Sequence, residues 1–528
     1  MNSSERPRYA IVVPQYGEPR FGGSASLAAG FARRLGARAE VDVLTTCADD
    51  YMTWRNAYPA GHERIDGVHV RRFAVERPRR ASEFDRLSRE VLAHDDPPLE
   101  LQEAWMRAQG PLAPGLTEYL ETFGRRYDAI AFVSYLYATT YFGLPMVEEH
   151  SVLLPLAHDE WPIRFPMWDR FFSRPRGFMF CSPGERDFVR ARFPDLGIDG
   201  PVAGVGVEPP ADVQAERFRE RYGISGPFIL YLGRVDPAKG CDALAENFGT
   251  YRRGGGRFGT LVFVGETHMR VEGSGIVTTG PVDETTKWDA LAACDLLVMP
   301  SRYESLSMAT LEAWSLSKPV LVRAQAQVVV EQCRRSGGGL WYANGDEFSA
   351  ALDLMDAPTR AALGRQGRRF VDEFYTWPRA VDVFAQHLDR IAREYAAERR
   401  GSDAALEEAG PRPDARGWYD DGWAAAKMHF VLPPPRSRFV ELDVALPPES
   451  PLERQTISVE NDGVVIASET FGKGEFTIPI APPRMTWNKP LNVTIYAQRS
   501  FLPPACADGP RDRRKLSYIL RRLEYAER

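Results

Sequence analysis

Residues 228–240 have the sequence FILYLGRVDPAKG. Phe228–Leu232 is an apolar run typical of a buried strand, and a glycine ends it. Arg234 and Lys239 follow directly. Ligands of open parallel sheets bind beyond the carboxyl ends of the strands, and an arginine fork beside a lysine suits a diphosphate. The stretch therefore predicts an anion site at the edge of an α/β sheet, unless the cations lie on the surface and one is paired with Asp236.

Strand and helix patterns alternate on both sides of this stretch. Before it, apolar runs extend from Tyr9–Val13 to Phe178–Cys181, and after it they extend from Thr260–Val264 to Pro319–Val322, with helical patterns between them. Such alternation is typical of parallel sheets covered by helices on both faces. The repetition on either side predicts two successive modules, followed by a long amphipathic helix over Pro378–Arg399.

The predicted fold class is α/β, with two Rossmann-like doubly wound modules and a C-terminal all-β, sandwich-like domain. We assign residues 1–207 to the first module and 208–375 to the second, with helix 376–400 packing back on the first. Residues 401–416 are rich in Ala, Glu, Pro and Gly, which is typical of a linker. Residues 417–528 alternate apolar and polar positions between proline-rich loops, which predicts the β domain.

Length and composition limit the classes of function. The 528 residues exceed one ordinary domain, and the net charge of −6 argues against a dedicated nucleic-acid binder. We find no apolar run near the roughly 18 residues of a membrane-spanning helix and no signal-peptide pattern. The six cysteines include no CxxC pair, and scattered thiols are typical of a reducing compartment. We therefore expect a cytoplasmic protein with no nucleic-acid partner.

A second segment, residues 297–314, has the sequence LVMPSRYESLSMATLEAW and supplies carboxylates. A strand pattern ends at Met299, Glu304 lies in the loop that follows, and Glu312 lies on a helix of otherwise small and apolar residues. Two carboxylates beside a diphosphate are repulsive unless they bind hydroxyls, which a sugar and a ribose provide. The alternative for Glu304 is a helix N-terminal acid favoured by the macrodipole.

Glycines mark a further candidate anion contact. Gly22 and Gly23 lie between the first strand and the first helix, where backbone amides and a helix N-terminus can approach a phosphate, although such a pair also serves a turn alone. We find no GxxxxGK[ST] loop and no GxGxxG at a strand–helix junction, which disfavours kinases, ATPases and dinucleotide oxidoreductases. We also find no DxD metal motif and expect no metal and no cofactor.

Together these motifs resemble the retaining glycosyltransferases of GT-B fold in the large family 4 group. The family's order of Gly-Arg-x4-Lys-Gly and then Pro-Ser-x2-Glu-x7-Glu-Ala is present, and the resemblance covers about residues 8–398. It implies that Arg234 and Lys239 contact the donor diphosphate, that Glu304 holds hydroxyls of the transferred sugar, and that Glu312 holds the ribose.

The resemblance implies further site residues. His158, in a loop after a strand, resembles the family's histidine near the transferred sugar; the alternative is an ordinary loop histidine. Ser317 stands where the family usually has glycine. The candidate catalytic residues are therefore His158, Glu304, Arg234 and Lys239. The candidate donor-binding residues are Gly22, Gly23, Arg234, Lys239, Val282 (near the base), Glu304, Ser305, Leu306, Ser307 and Glu312.

The resemblance also implies partners and a role. We expect a metal-independent hexosyltransferase that uses a UDP- or GDP-sugar donor and a glycan or lipid-linked glycan acceptor in bacterial surface polysaccharide biosynthesis.

The arginine-rich stretch Glu76–Glu90 is either a peripheral contact with the inner face of the plasma membrane or a solvated helix. Trp418 and Trp423 either stack on sugar rings or pack in the β domain. The alternatives are a non-catalytic glycan-binding or scaffold protein with a GT-B shell, and a glycan phosphorylase or nucleotide-sugar epimerase.

Overall fold

The structure is a computed structural model that describes residues 6–17, 22–407, 415–419, 422–432, 440–461, 464–480, 491–502 and 514–525. It divides into two compact units. The first comprises Met1–Leu116 and Ala129–Ile391 and holds two α/β modules; the second comprises Thr117–Asp128 and Ala392–Arg528 and holds a β domain.

The first module is built on a seven-stranded sheet of order β3-β4-β2-β1-β5-β6-β7, parallel except for β3. Apolar residues fill its central strands, so that all five residues of β5 are buried. The strands are β1 (Arg8–Val12), β2 (Glu40–Thr46), β3 (Gly61–Ile65), β4 (Val68–Phe73), β5 (Ala129–Val133), β6 (Ser151–Leu154) and β7 (Gly177–Phe178). The helices are α1 (Gly23–Leu35), α2 (Ala81–Leu92), α3 (Leu99–Gln109), α5 (Ala138–Gly143), α6 (Met167–Phe172) and α7 (Pro183–Arg192), whereas α4 (Pro114–Phe123) spans the division between the two units.

The second module has a six-stranded parallel sheet of order β10-β9-β8-β11-β12-β13. Its strands are β8 (Phe228–Leu232), β9 (Thr260–Val264), β10 (Ile276–Thr278), β11 (Leu296–Met299), β12 (Val320–Arg323) and β13 (Gly339–Tyr342). Its helices are α8 (Ala215–Tyr222), α9 (Cys241–Arg253), α10 (Glu284–Ala293), α11 (Met308–Ser315), α12 (Gln327–Ser336), α13 (Gly345–Leu354) and α14 (Ala357–Phe374). Because β8 and β11 are adjacent, the loops that follow them lie side by side.

A long helix, α15 (Trp377–Glu407), follows α14. Near its start, Phe384 packs against Phe31 of α1, with ring centroids 4.6 Å apart. The helix runs seven residues into the segment 401–416 that the sequence predicts as linker, because alanines and glutamates there are compatible with helix. Residues 408–414 of that segment lie outside the described residues.

The β domain is one continuous antiparallel sheet of order β18-β17-β20-β15-β21-β16-β19, with β14 paired to β15. β18 and β19 lie at opposite ends of this order yet are separated in sequence only by Lys473, so the sheet curls until its edges meet. Its inner face buries alternate residues, as β16 does with Val440, Leu442 and Val444. The strands are β14 (Ala415–Trp418), β15 (Trp423–Leu432), β16 (Val440–Leu446), β17 (Arg454–Asn461), β18 (Val464–Gly472), β19 (Gly474–Ile480), β20 (Leu491–Ala497) and β21 (Tyr518–Tyr525).

The predicted fold class, two Rossmann-like modules plus a sandwich-like β domain, is confirmed. In the β domain, Trp418 packs against the core beside Phe430, whereas the half-buried Trp423 lies edge-on to Phe501, with ring centroids 5.4 Å apart. Trp418 is thus a packing residue. The described helices include none long and apolar enough to cross a membrane.

The arginine-rich stretch 76–90 forms most of α2 and the turn before it, and several of its cations are already engaged. Arg77 pairs with Glu83 and Arg86 pairs with Glu90. The guanidinium of Arg79 packs against the rings of Tyr51, Trp54 and Phe84. Because Arg77 and Arg86 are paired with carboxylates, the stretch 76–90 presents less net positive charge to a lipid surface than its composition indicates.

Candidate active site

Two glycines bring the loops after β8 and β11 together. Gly233 ends β8 with φ +146°, and Gly240 ends the next turn with φ +75°. A Cβ atom on Gly240 would lie 2.6 Å from the carbonyl oxygen of Pro300, closer than real side chains come. Only glycine therefore allows the turn that carries Lys239 to approach the loop that carries Glu304.

Lys239 and Glu304 form an ion pair at this edge of the sheet. Lys239 Nζ donates to Glu304 Oε1 at 2.8 Å, and the Glu304 side chain is only 15% exposed. The backbone of Lys239 is fixed by Asp236, whose Oδ1 accepts the Lys239 N–H at 2.8 Å and caps the short turn Pro237–Lys239. The two residues predicted to bind diphosphate and sugar therefore neutralise each other in this structure.

Arg234 lies beside this pair and is held by Asp236. Burial disfavours the charged guanidinium, but the hydrogen bond and the charge of Asp236 outweigh it and raise the pKa of Arg234. Its guanidinium carbon also lies 5.3 Å from the ring centroid of Tyr51, which belongs to the first module. Arg234 is thus permanently charged, and its guanidinium faces the first module across the cleft.

Glu312 is buried on α11 and is not a packing residue. Burial raises the pKa of its carboxyl, and the neighbouring Lys287 partly offsets that effect. Lys287 Nζ donates to Glu312 Oε1 at 2.8 Å and lies 2.7 Å from Glu284 Oε2. Lys287 was missed by the sequence analysis, because a Glu–Lys pair at i, i+3 on α10 resembles any solvated helix pair.

The loop between Glu304 and α11 presents backbone amides at a helix N-terminus. Ser307 has φ +60° and caps α11, its hydroxyl accepting the Thr310 N–H at 3.3 Å. The carbonyl of Ser305 accepts a hydrogen bond from the Ser182 hydroxyl of the first module at 3.2 Å. Leu306, between them, is buried. The arrangement points the start of α11 at the cleft, where its amides favour an anion.

Two helix N-termini converge there. Gly22 is the N-cap of α1 and Gly23 is its first residue. A Cβ atom built on Gly23 would lie 4.0 Å from Cγ of Met308, the first residue of α11. Both helices direct their positive ends to the same cleft, which is a favourable environment for a diphosphate.

His158 lies on the wall of the cleft that faces Glu304. It follows β6, and its ring centroid is 5.8 Å from that of Tyr303, the neighbour of Glu304 in the chain. His158 Nδ1 is buried, 3.7 Å from Glu160 Oε1, and Glu160 in turn accepts the Tyr135 hydroxyl at 2.8 Å. The His158 imidazole therefore has the carboxylate of Glu160 near it on one side and faces the second module on the other.

Val282 stands apart from this group. It is half-buried in the loop between β10 and α10, on the N-terminal side of the helix that carries Lys287. Its contact with a base stays a prediction.

An aromatic wall on the first module was also missed by the sequence analysis. Tyr51, Trp54 and Tyr137 contact one another edge to face, and the guanidinium of Arg79 lies 5.1 Å from the Tyr51 ring. Arg79 Nη2 also donates to Gln109 Oε1 at 2.8 Å, and burial lowers the pKa of the Arg79 guanidinium. Arg79 and Arg234 thus both contact the Tyr51 ring, an arrangement that no local sequence pattern predicts.

The site can bind an anion and hydroxyl groups together. Arg234, Lys239 and the two helix N-termini supply positive potential, while Glu304 and Glu312 supply hydroxyl acceptors. In the described part of the chain, no group of three or more His, Cys, Asp or Glu side chains is placed to hold a metal ion.

Two Rossmann-like modules that face each other across such a cleft define the GT-B class of fold. Solved structures share this fold. Sucrose-phosphate synthase from Thermosynechococcus elongatus aligns with a TM-score of 0.51 at 16% identity, over 76% of this chain and 100% of its own. Anabaena HepE, solved with UDP and glucose, aligns with a TM-score of 0.53 at 14% identity, over 73% of this chain and 100% of its own.

Within the second module, residues 226–355 match the model of the glycosyl transferases group 1 family. The D-inositol 3-phosphate glycosyltransferase of Jonesia denitrificans is 27% identical over 192 residues, 33% of this chain and 45% of that protein. The mannosylfructose-phosphate synthase of Agrobacterium fabrum is 28% identical over 131 residues, 22% of this chain and 29% of that protein. The chain thus spans less than half the length of these curated relatives. The resemblance to group 1 glycosyltransferases of GT-B fold with an appended β domain is confirmed.

Proposed function

We propose that this chain is a retaining glycosyltransferase that moves a sugar from a nucleotide-sugar donor to a glycan or lipid-linked glycan. The observation that carries the proposal is the placement of Arg234, Lys239 and Glu304 at the carboxyl edge of one parallel sheet, opposite His158, with Glu312 on the helix that follows Glu304. Cations suit the diphosphate of such a donor, and the carboxylates suit its sugar and ribose hydroxyls. UDP and glucose in the HepE structure, which shares the fold, support this class of donor.

The proposed reaction is a front-face displacement. The acceptor hydroxyl approaches the anomeric carbon from the side of the leaving group, the bond from that carbon to the diphosphate oxygen breaks, and a new bond to the acceptor oxygen forms on the same face. The acceptor proton passes to the departing diphosphate oxygen. Arg234, Lys239 and the N-terminus of α11 stabilise the charge that develops on the diphosphate.

We propose metal-independent transfer, because Arg234 and Lys239 supply the positive charge that a divalent cation supplies elsewhere. Retention of activity in excess EDTA is the expected result. A loss of activity that Mg²⁺ or Mn²⁺ restores would contradict it.

Two lines of argument favour two different classes of acceptor. The family resemblance favours a glycan of bacterial surface polysaccharide, whereas the names of the matched relatives point to small phosphorylated acceptors, such as an inositol phosphate or a fructose phosphate. An acceptor screen that contains both classes distinguishes them. A cytoplasmic location and a peripheral membrane contact stay predictions.

The first experiment is a thermal-shift screen against UDP-, GDP- and dTDP-sugars, because a ligand that binds only the folded state raises the melting temperature. Donor turnover is then measured with the sugar that gives the largest shift, and NMR of the product's anomeric configuration tests retention. A scaffold protein with a GT-B shell gives neither transfer nor donor hydrolysis with any of these sugars.

A further inference from the structure

A completely buried carboxylate in the first module has no role in the site described above. Glu185 lies in the first turn of α7, three positions after the N-cap residue Ser182. Its Oε1 accepts the Ala157 N–H at 3.0 Å, and its Oε2 accepts the Cys181 N–H at 2.8 Å. Burial raises the pKa of this carboxyl to about 7, and the nearby backbone amides of Cys181, Ala157, Leu156 and Ser182 partly offset that effect. A capping-box glutamate ordinarily satisfies only the amide of its N-cap residue, so Glu185 serves a second loop as well.

That second loop carries His158 and is held in an unfavourable backbone conformation. Leu156 has φ +52°, in the left-handed region that a bulky side chain rarely adopts. Such conformations persist only where the surroundings fix them, and they are frequent at functional sites. The hydrogen bond from the Ala157 amide to Glu185 fixes the residue directly after Leu156, one position before His158.

The same cap reaches the second module. The hydroxyl of Ser182 accepts the Glu185 N–H at 3.1 Å and donates its own proton to the carbonyl of Ser305 at 3.2 Å. Ser305 is the neighbour of Glu304. The Ser182–Glu185 cap therefore contacts the loop of His158 on one side and the loop of Glu304 on the other.

We propose that Glu185 is a positioning residue of the transfer site, which fixes the His158 loop against the Glu304 loop through Ala157, Cys181 and Ser182. This inference rests on the proposed transferase function for its kinetic consequence. Glu185 does not touch the substrate; it sets the distance and orientation between two groups that do. Because small misplacements of reacting groups are costly, its loss affects the chemical step more than donor binding.

The kinetic test compares Glu185→Gln and Glu185→Asp with Glu347→Gln. Glutamine has the same shape as glutamate, but its side-chain amide donor would oppose the backbone N–H groups that glutamate accepts. Aspartate keeps the charge but is one methylene shorter. Glu347 is the matched control: it stands three positions after the N-cap Asn344 of α13 and accepts the Ala343 N–H at 2.7 Å, but it is exposed. All assays are run below the melting temperature of each variant.

Both Glu185 variants are expected to lower kcat by about 10- to 100-fold with the donor KM changed by less than about threefold, and Glu347→Gln is expected to leave kcat unchanged. A kcat within about twofold of wild type in either folded Glu185 variant overturns the proposal.

Hydrogen–deuterium exchange provides a readout that does not depend on activity. In Glu185→Gln, the amides of the 155–158 and 181–182 segments are expected to exchange faster than in wild type and in Glu347→Gln. Unchanged exchange there overturns the proposal. If wild type shows neither transfer nor donor hydrolysis, the proposed function fails, and the exchange measurement alone decides whether Glu185 fixes the loop.

Discussion

Lys239 Nζ lies 2.8 Å from Glu304 Oε1, so the cation predicted to bind the donor diphosphate is paired with the carboxylate predicted to bind the donor sugar. Arg234 with Asp236 and Lys287 with Glu312 form two further pairs of opposite charge. The charged side chains of the candidate site therefore pair with one another, and under the proposed function a donor would exchange these partners for its own phosphates and hydroxyls. Pairing of this kind offsets part of the cost of desolvating partly buried charges.

Removing either member of this first pair is expected to abolish most of the activity. Lys239→Ala removes a cation that stabilises the leaving diphosphate, and Glu304→Gln weakens the hold on the sugar hydroxyls; kcat/KM is expected to fall by about 100- to 1000-fold in each. Steady-state donor turnover measures both. Lys473→Ala is the matched control, since Lys473 pairs with Glu453 at 2.9 Å in the β domain. Turnover near wild type in both site variants would contradict the site assignment.

Lys287→Met is expected to leave Glu312 buried without its counter-charge and to lower the free energy of unfolding by about 2 kcal/mol at pH 8. Burial already raises the pKa of Glu312 above its ordinary value of 4.5. A carboxyl with a raised pKa in the folded state loses stability as pH rises through the window between the unfolded and folded pKa values, and the substitution widens that window.

The destabilisation by Lys287→Met should therefore be smaller at pH 5, where Glu312 takes up a proton. Denaturant unfolding at both pH values measures this difference. Lys287→Met/Glu312→Gln is the control and should show little pH dependence from this site. An equal loss of stability at pH 5 and pH 8 in Lys287→Met would argue against the pair.

Tyr51 is expected to support donor binding through Arg234. Tyr51→Ala removes the ring that lies 5.3 Å from the guanidinium carbon, and the donor KM is expected to rise by about 3- to 10-fold, in keeping with a partly buried cation–π contact. Tyr51→Phe keeps the ring and should behave as wild type. Isothermal titration with UDP measures the same effect without turnover; equal affinities of Tyr51→Ala and Tyr51→Phe would show that the ring has no such role.

Ser317→Gly is expected to stabilise the protein by up to about 1 kcal/mol. Ser317 has φ +57°, in the region that glycine adopts without steric cost, and it stands where the resembled family usually has glycine. Thermal unfolding checks the gain, with Ser315→Gly as the control, since Ser315 is the buried last residue of α11, its hydroxyl donates to the Glu312 carbonyl at 2.7 Å, and its replacement should destabilise. A melting temperature of Ser317→Gly at or below that of wild type would contradict the expectation.

Local sequence patterns were sufficient to predict the strands that position the site residues. The apolar run before Gly233 predicted β8, the run before Pro300 predicted β11, and both are strands of one parallel sheet. Since parallel strands present their carboxyl ends at one edge, the sequence also placed Arg234 and Glu304 near each other. The alternation in residues 417–528 predicted strands, but it did not show that they join into one curled sheet.

The two α/β modules, the β domain and the charged residues at the strand ends could be predicted from sequence patterns, because periodicity and strand-end chemistry are local properties of the chain. The partners of these residues emerge only in the folded chain: Lys287 for Glu312, Tyr51 for Arg234, and Glu185 for the loop of His158. These contacts join residues of different elements, and the path of the backbone, not any short-range pattern, determines which side chains meet. Glu185 and Ser182 form an ordinary capping box in the sequence, and folding alone brings the His158 and Ser305 loops to it.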